Sequence, residues 1–466
     1  MLLKNTDPRH KTTIILGGIT VLLLILVITM MFINGDIVFF SVLQDTFKNL
    51  WWVILPIPVW KIFYLVWEEY IDLMWAVATP RITLEIIPPA DTEKGPKIME
   101  QIFHGLHTQS SLNKFEIYCG WRTNQDKFSF EIASHEGSVH FYINCPATTR
   151  NNVEAQIYAQ YPDTEIFQVE DYVWSHTPKN LPNVEWDVWG TTLKLVSEDQ
   201  LPIRTHKHFK EEITGVMIDP LSSLTEVMSA IGKDQHVWFQ IVFTPLHERD
   251  WHPQSMDYIN KLIGKGESEK TKKSFFGYLG EFFVLPGNIL RGMLVEEAEL
   301  IAPEMGSTEE IVKNDFNINK LSPDEQERVK AVYENISKIA FGTTMRFVYT
   351  GKRDGFNKAL GVAGVMGAIK QFGDTNLNAL YPDPRSKTFA LYGFTDSRLA
   401  FRQRRVVQNF RDRSFSQGKF VFNIEELATV YHFPDMSVKS PNVSRVDAKK
   451  GSAPANLPIE FESSLQ

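Results

Sequence analysis

FSFEIASHEGSVHFYINC, from Phe128 to Cys145, places alternating apolar residues on either side of a His135-Glu136-Gly137 turn. Side chains in a strand repeat every two residues, so Phe128, Phe130 and Ile132 lie on one side of the first strand, and Val139, Phe141, Ile143 and Cys145 lie on one side of the second. The stretch reads as a β-hairpin. Before it come the strand RITLEIIPP (81–89), PKIMEQIFHGLH (96–107) with Ile98, Met99, Ile102, Phe103 and Leu106 at helical spacing, and the strand KFEIYCGW (114–121). After it, Asn151 and Glu154 form a capping-box pair for a helix whose Val153, Ile157, Tyr158 and Tyr161 make one face. Tyr161-Pro162-Asp163 stops that helix before the strand EIFQVEDYVW (165–174). The order strand, helix, strand, strand, helix, strand predicts a ferredoxin-like, split βαβ domain over residues 81–175.

Two further α+β regions follow. Residues 176–263 contain the strand GTTLKLV, a helix from Pro220 to Ile231, and HVWFQIVFTPL, which is apolar enough to be a strand buried on both faces. Residues 264–321 lose the pattern, with a charged run followed by an apolar stretch broken by Gly277, Gly280, Pro286 and Gly287, and read as a linker or insertion. Residues 322–466 resume with Ser322 as an N-cap, the strand TMRFVYTG, a helix from Phe356 to Phe372 and an extended tail.

Upstream, residues 1–80 predict a membrane anchor. Thr12 to Ile33 is an uncharged apolar run of 22 residues, long enough to cover the roughly 30 Å hydrocarbon core of a bilayer. Leu50 to Trp67 predicts a second, kinked span containing Pro56 and Pro58, with an interfacial helix as the competing reading. Lys4, Arg9 and Lys11 before the first run orient such a hairpin with the bulk of the chain inside. The expected fold class is therefore a membrane-anchored α+β protein: an N-terminal transmembrane helical hairpin followed by ferredoxin-like domains. The expected location is a bacterial inner membrane, with two spans, the lipid bilayer as partner and most of the chain cytoplasmic.

The formal charge of −8 argues against a chain that coats nucleic acid along its whole surface, so any such contact is local. Cys119 and Cys145 are the only cysteines and make no disulfide framework. No phosphate-cradling glycine-lysine loop, H-E-x-x-H, C-x-x-C or G-x-S-x-G motif is present. His206 and His208 would share a face in a strand, but no third metal ligand is signposted, and the adjacent glutamate pairs point apart. The expectation is no catalytic residue, no metal and no cofactor. The most basic stretch, RLAFRQRRVVQNFRDR, sets Arg398, Arg402, Arg404, Arg405, Arg411 and Arg413 among Phe401 and Phe410, a composition suited to nucleic-acid phosphates.

Several ordered blocks carry a family resemblance: PKIMEQIFHGLH (96–107), FYINCP with VEAQIYAQYPDTEIFQVEDY (141–172), DPLSSLTEVMSAI (219–231), FGDTNLNAL (372–380), IEELATVYHFPD (424–435) and PANLP (454–458). Together they resemble the membrane-anchored N-terminal region of type IV secretion coupling ATPases of the HerA/FtsK class. In the fused members the last two blocks lead into a motor domain, whereas this sequence ends at Gln466. The resemblance implies a non-catalytic inner-membrane anchor and docking subunit for a separately encoded HerA/FtsK-class ATPase, and it transfers no catalytic residue. The alternative is a self-assembling envelope scaffold, a homo-oligomer joined through sheet edges.

Overall fold

The computed structural model of the protein describes residues 56–89, 95–108, 126–209, 218–262, 322–391, 393–415 and 418–434. The apolar run 12–33, the strand expected at 114–121, the insertion 264–321 and the tail from 435 lie outside them. The chain divides into two compact units, Met1–Leu73 and Met74–Gln466.

Helix α1 (Pro56–Ala78) carries the described part of the first unit and runs into the second. The second unit then proceeds as β1 (Arg81–Ile87), α2 (Pro96–Leu106), β2 (Phe128–His135), β3 (Ser138–Pro146), α3 (Arg150–Gln160) and β4 (Glu165–Val169). After the single turn α4 (Tyr172–Ser175) come β5 (Trp186–Leu195), α5 (Ser222–Ser229), β6 (Gln235–Pro245), α6 (Glu248–Leu262) and α7 (Pro323–Ile336). The remaining elements are β7 (Ala340–Lys352), a π-helical segment (Ala359–Gly364) leading into α8 (Val365–Lys370), β8 (Leu380–Pro382), α9 (Thr395–Arg411), β9 (Phe420–Asn423) and α10 (Ile424–Val430).

All nine strands belong to one antiparallel sheet in the order β4-β1-β3-β2-β6-β7-β5-β8, with β9 alongside the start of β7. This order is palindromic in its connectivity. The run β1-α2-β2-β3-α3-β4 places its four strands 4-1-3-2, and the run β5-α5-β6-β7-α8-β8 does the same from the opposite edge. Two βαββαβ units thus stand back to back, joined where Phe128–His135 of β2 pairs with His236–Phe243 of β6. The first unit closes its central hairpin with Glu136 and Gly137, both left-handed at φ 54° and 90°, the conformation that matches strand twist in a two-residue turn. The second makes the corresponding connection, from β6 to β7, through residues 246–339, in which α6 and α7 share a small core of Ile259, Val332 and Leu201.

The pleat sends alternate residues to opposite faces, and both faces are covered. Phe130, Ile132, Phe239, Ile241, Phe347 and Tyr349 join Met99, Phe103, Val153, Leu224, Ile369 and Leu427 of the helices in one apolar cluster. On the other face Ala133, Tyr142, Val188, Trp238 and Val348 pack against Val406, Val407 and Phe410 of α9. Double coverage explains why β2 is buried at all its positions and why β6 reads as continuously apolar. Gly190 lets α9 approach: a β-carbon there would lie 3.1 Å from Val406 Cγ1 and 3.0 Å from the Phe347 carbonyl oxygen.

Among the apolar contacts of that second face lies a buried polar network. Glu131, Gln240 and Arg346 occupy facing register positions on β2, β6 and β7, and each is wholly buried. Glu131 Oε1 accepts from Ser129 Oγ (2.6 Å), Gln240 Nε2 (3.0 Å) and Arg413 Nε (3.0 Å), while Oε2 accepts from Tyr172 Oη (2.7 Å). Arg413 also donates to Asp171, and Arg346 to Gln240 Oε1 (2.8 Å) and the Asn409 carbonyl (2.9 Å). Burial disfavours the Arg413 charge, but Glu131 and Asp171 more than offset this and raise its pKa.

The transmembrane hairpin expected from residues 12–33 and 50–67 is corrected on this evidence. No helix among the described residues is long and apolar enough to cross a membrane. The described part of the second segment belongs to α1, where Lys61, Glu68, Glu69 and Asp72 interrupt the apolar run. The two-span inner-membrane location rested on that hairpin and falls with it. The fold class is likewise corrected from a hairpin bearing ferredoxin-like domains in series to one nine-stranded antiparallel sheet with helices. The α+β stretches expected at 81–175, 176–263 and 322–466 all contribute strands to that sheet.

Replacing Arg413 by methionine strands Glu131 in a dry site. We expect Arg413→Met to lose roughly 3–5 kcal/mol of unfolding free energy in urea titration. Arg404→Met, at an exposed position of α9, should stay within about 0.5 kcal/mol of the parent. Equal midpoints for all three proteins would show that the network contributes nothing.

Candidate nucleic-acid interface

Helix α9 begins after Gly393 and Phe394, both left-handed, and turns Gln403, Val406, Val407 and Phe410 to the sheet. Gln403 fastens this face, donating to the Val188 carbonyl (2.7 Å) and to Asp187 Oδ1 (2.8 Å). A second stripe at i, i+4, i+7 and i+11, formed by Arg398, Arg402, Arg405 and Asn409, lines one wall of a cleft of about 420 Å³. The facing wall is the chain after β8, represented by Arg385 and Ser386, with Ser397, Phe401 and Val406 completing the lining. Four arginines therefore line one cavity. No carboxylate is part of its lining among the described residues.

That facing wall is held in place by the sheet. Ser386 Oγ accepts from the Thr192 amide (2.8 Å), Thr388 Oγ1 accepts from the Gly190 amide (3.0 Å), and Asp383 accepts from the Arg385 amide (3.1 Å). Asp383 also lies 3.6 Å from Lys194 Nζ, which occupies its charge outside the cleft. Arg402 donates to the Lys387 and Phe389 carbonyls and so ties α9 to this wall. The cleft is a built feature with fixed walls.

The six arginines singled out in the sequence separate by role. Arg398, Arg402 and Arg405 line the cleft, and Arg404 is exposed elsewhere on α9. Arg411 is buried, donating to the Lys179 and Pro178 carbonyls with its guanidinium 4.3 Å over the Trp174 ring, and Arg413 is held by Glu131 and Asp171. Arg385, Ser386, Ser397 and Asn409 belong to the site and were not singled out. The helical stripe spacing could have found Asn409, whereas Arg385 lies in an irregular stretch that only the tertiary fold brings across from α9.

Two other polar clusters were candidates for chemistry. Thr429 Oγ1 lies 3.3 Å from His206 Nδ1, and His206 Nε2 lies 3.3 Å from Glu100 Oε1, an order reminiscent of nucleophile, base and orienting acid. Thr429 is wholly buried, however, and its hydroxyl donates to the Glu425 carbonyl (2.7 Å) while accepting from the His206 amide (2.9 Å). It is a structural link. His206 and His208 lie in a short 3₁₀ turn instead of the strand in which they would share a face.

The second cluster sits at the end of the β2–β6 junction, where His135 and His236 are register partners with Nδ1 atoms 3.3 Å apart. His176 stacks on His135 with ring centroids 4.0 Å apart, Trp186 stacks on His236, and His140 pairs with Glu85 at 2.7 Å. Burial, then the neighbouring histidines, depresses His135 to about 2, and burial with His176 depresses His236 to about 4. Among the described residues no group of three or more histidine, cysteine or carboxylate side chains could hold a metal ion.

Comparison with known families adds one finding. A family model described as a domain of unknown function, DUF8128, matches residues 67–446. The chain belongs to this family. No curated protein matches it. The DUF8128 match spans the whole sheet, the histidine cluster and every residue of the arginine cleft. It brings no type IV secretion or coupling-protein assignment, and those two terms are withdrawn from the expectation.

The histidine cluster of this DUF8128 domain predicts a pH dependence of stability. Both depressed histidines bind protons in the unfolded chain near pH 6.5 but resist them in the fold, so their stabilising effect is complete above that value and declines as pH falls toward 4. Urea midpoints measured at pH 7.5, 6 and 5 should fall, and His236→Gln should flatten the decline relative to the parent. An identical slope in parent and variant would remove the cluster as the cause.

Proposed function

We propose that the chain is a non-catalytic docking subunit that holds nucleic acid by its phosphates, with the cleft between α9 and the chain after β8 as the contact. The observation that carries this reading is the convergence of Arg385, Arg398, Arg402 and Arg405 on one cavity in a chain whose formal charge is −8. Guanidinium is planar, always charged and presents parallel N–H donors matched to the paired oxygens of phosphate and carboxylate, so clustered arginines suit a ligand that presents several phosphates in a row. A net negative charge on the rest of the chain opposes non-specific contact with a polyanion and so favours contact at a locally basic site such as this cleft. The resemblance of the ordered sequence blocks to regions that precede HerA/FtsK-class motors supports a separately encoded ATPase of that class as the partner acting on the same nucleic acid.

The test is fluorescence anisotropy with a labelled oligonucleotide across a salt series, using the full chain. Arg385→Ala, Arg398→Ala and Arg405→Ala combined should weaken binding uniformly across sequences, and the slope of log affinity against log salt should fall by about 2–3, close to one for each lost phosphate contact. Arg404→Ala, outside the cleft, should bind like the parent. Equal affinity of the triple variant and parent at low salt would reject the cleft as the contact. Affinity isolation of the tagged chain that recovers no HerA/FtsK-class ATPase would reject the motor partnership alone.

A further inference from the structure

Exposed phenyl rings occur in the same stretch of chain as the arginine cleft. Phe401 projects from α9 between Arg398 and Arg405, lines the cleft itself and is 62% exposed. Phe394 at the start of α9 is 89% exposed, and Phe389, whose carbonyl Arg402 holds, is 49% exposed. Five phenylalanines count as exposed among the described residues, and these three fall within residues 389–401, the stretch that contributes Ser397, Arg398 and Phe401 to the cleft. Other phenylalanines of the same chain, such as Phe130, Phe239 and Phe347, are wholly buried, so the fold has the means to bury such rings. Solvent-facing aromatic rings concentrated at one place mark a surface that meets something with a flat apolar face.

We infer that the cleft takes single-stranded nucleic acid, with phosphates on the arginines and unpaired bases stacked on Phe401 and Phe394; this rests on the phosphate-binding reading above. A duplex presents phosphates but keeps its base faces inside the stack, so the phenyl rings have nothing to contact on it. A single strand presents both. Every base has a π-face, so stacking holds the strand without selecting a sequence, while the guanidinium groups follow the backbone. The Lys387 ammonium, 5.5 Å from the Phe389 ring centroid, places one more positive charge at the rim. Stacking does not depend on the sugar, so DNA and RNA strands share the chemistry.

The experiment compares labelled 20-nucleotide oligo(dT), 20-nucleotide oligo(U) and a 20-base-pair DNA duplex by fluorescence anisotropy with the full chain. Both single strands should bind more tightly than the duplex. Phe401→Ala should weaken single-strand binding roughly tenfold, and Phe394→Ala should weaken it further, with the salt slope unchanged and duplex binding unaffected. Both positions are exposed, so the variants should retain the parent circular dichroism spectrum and urea midpoint. Equal binding of single strand and duplex, indifferent to the phenylalanine changes but weakened by the arginine changes, would overturn the single-strand inference and leave the phosphate-binding reading standing. Absence of binding to all three probes would overturn both.

Discussion

A carboxylate at the centre of a dry sheet must be matched or expelled, and Glu131 is matched. It lies on β2, the strand through which the two βαββαβ units join, and its partners come from β6, from α4 and from the chain just beyond α9. Removing two charges from water costs several kcal/mol per ion unless geometry restores it. Apart from the Ser129 hydroxyl on the same strand, the donors to the carboxylate come from separate stretches of chain, so the arrangement is complete only when the sheet is paired and α9 is seated. Arg346 extends the same network into β7 and takes up the Asn409 and Ser414 carbonyls at the end of α9. The position of α9, and hence of the cleft on its far side, is set by this buried charge.

The central hairpin was legible in the sequence because alternation and a glycine turn are local signals. The doubled coverage of β6 was legible too, since HVWFQIVFTPL is nearly continuous in apolar residues and sets Trp238 and Val242 on the same side as His236 and Gln240. The Ser322 cap was equally readable and is present as a capping box with Glu325. What stayed hidden was the joining of the two halves: β2 and β6 are separated by about a hundred residues, and neither carries a mark that names its partner. The anchor expectation failed for a related reason. Apolar aromatic density in Leu50 to Trp67 resembled a span, yet the helix that begins at Pro56 continues into Glu68, Glu69 and Asp72.

The arginine run shows the limit of charge counting. In sequence the six residues form one basic stretch, but α9 distributes them by helical phase and by distance from its buried end. Arg411 and Arg413 fall where the sheet's own carboxylate and loop carbonyls need donors, while Arg398, Arg402 and Arg405 remain at the surface cleft. Arg385 arrives from β8's side because Ser386 and Thr388 pin that stretch to the β5 backbone. One wall of the cleft is therefore a consequence of tertiary hydrogen bonds that no local pattern encodes.

The unequal central connections of the two halves bear on how the fold tolerates change over time. Glu136 and Gly137 require left-handed backbone, so the first hairpin accepts few alternatives in length or composition. The second leaves β6 at Pro245 and re-enters β7 beside it, with Pro245 opposite Phe341 in register. An excursion that departs and returns at neighbouring points pays a closure entropy that grows only logarithmically, about 0.6 kcal/mol for each doubling of a flexible loop. The molecule therefore has one rigid joint and one permissive joint at equivalent places, and new segments can accumulate at the second without disturbing strand register.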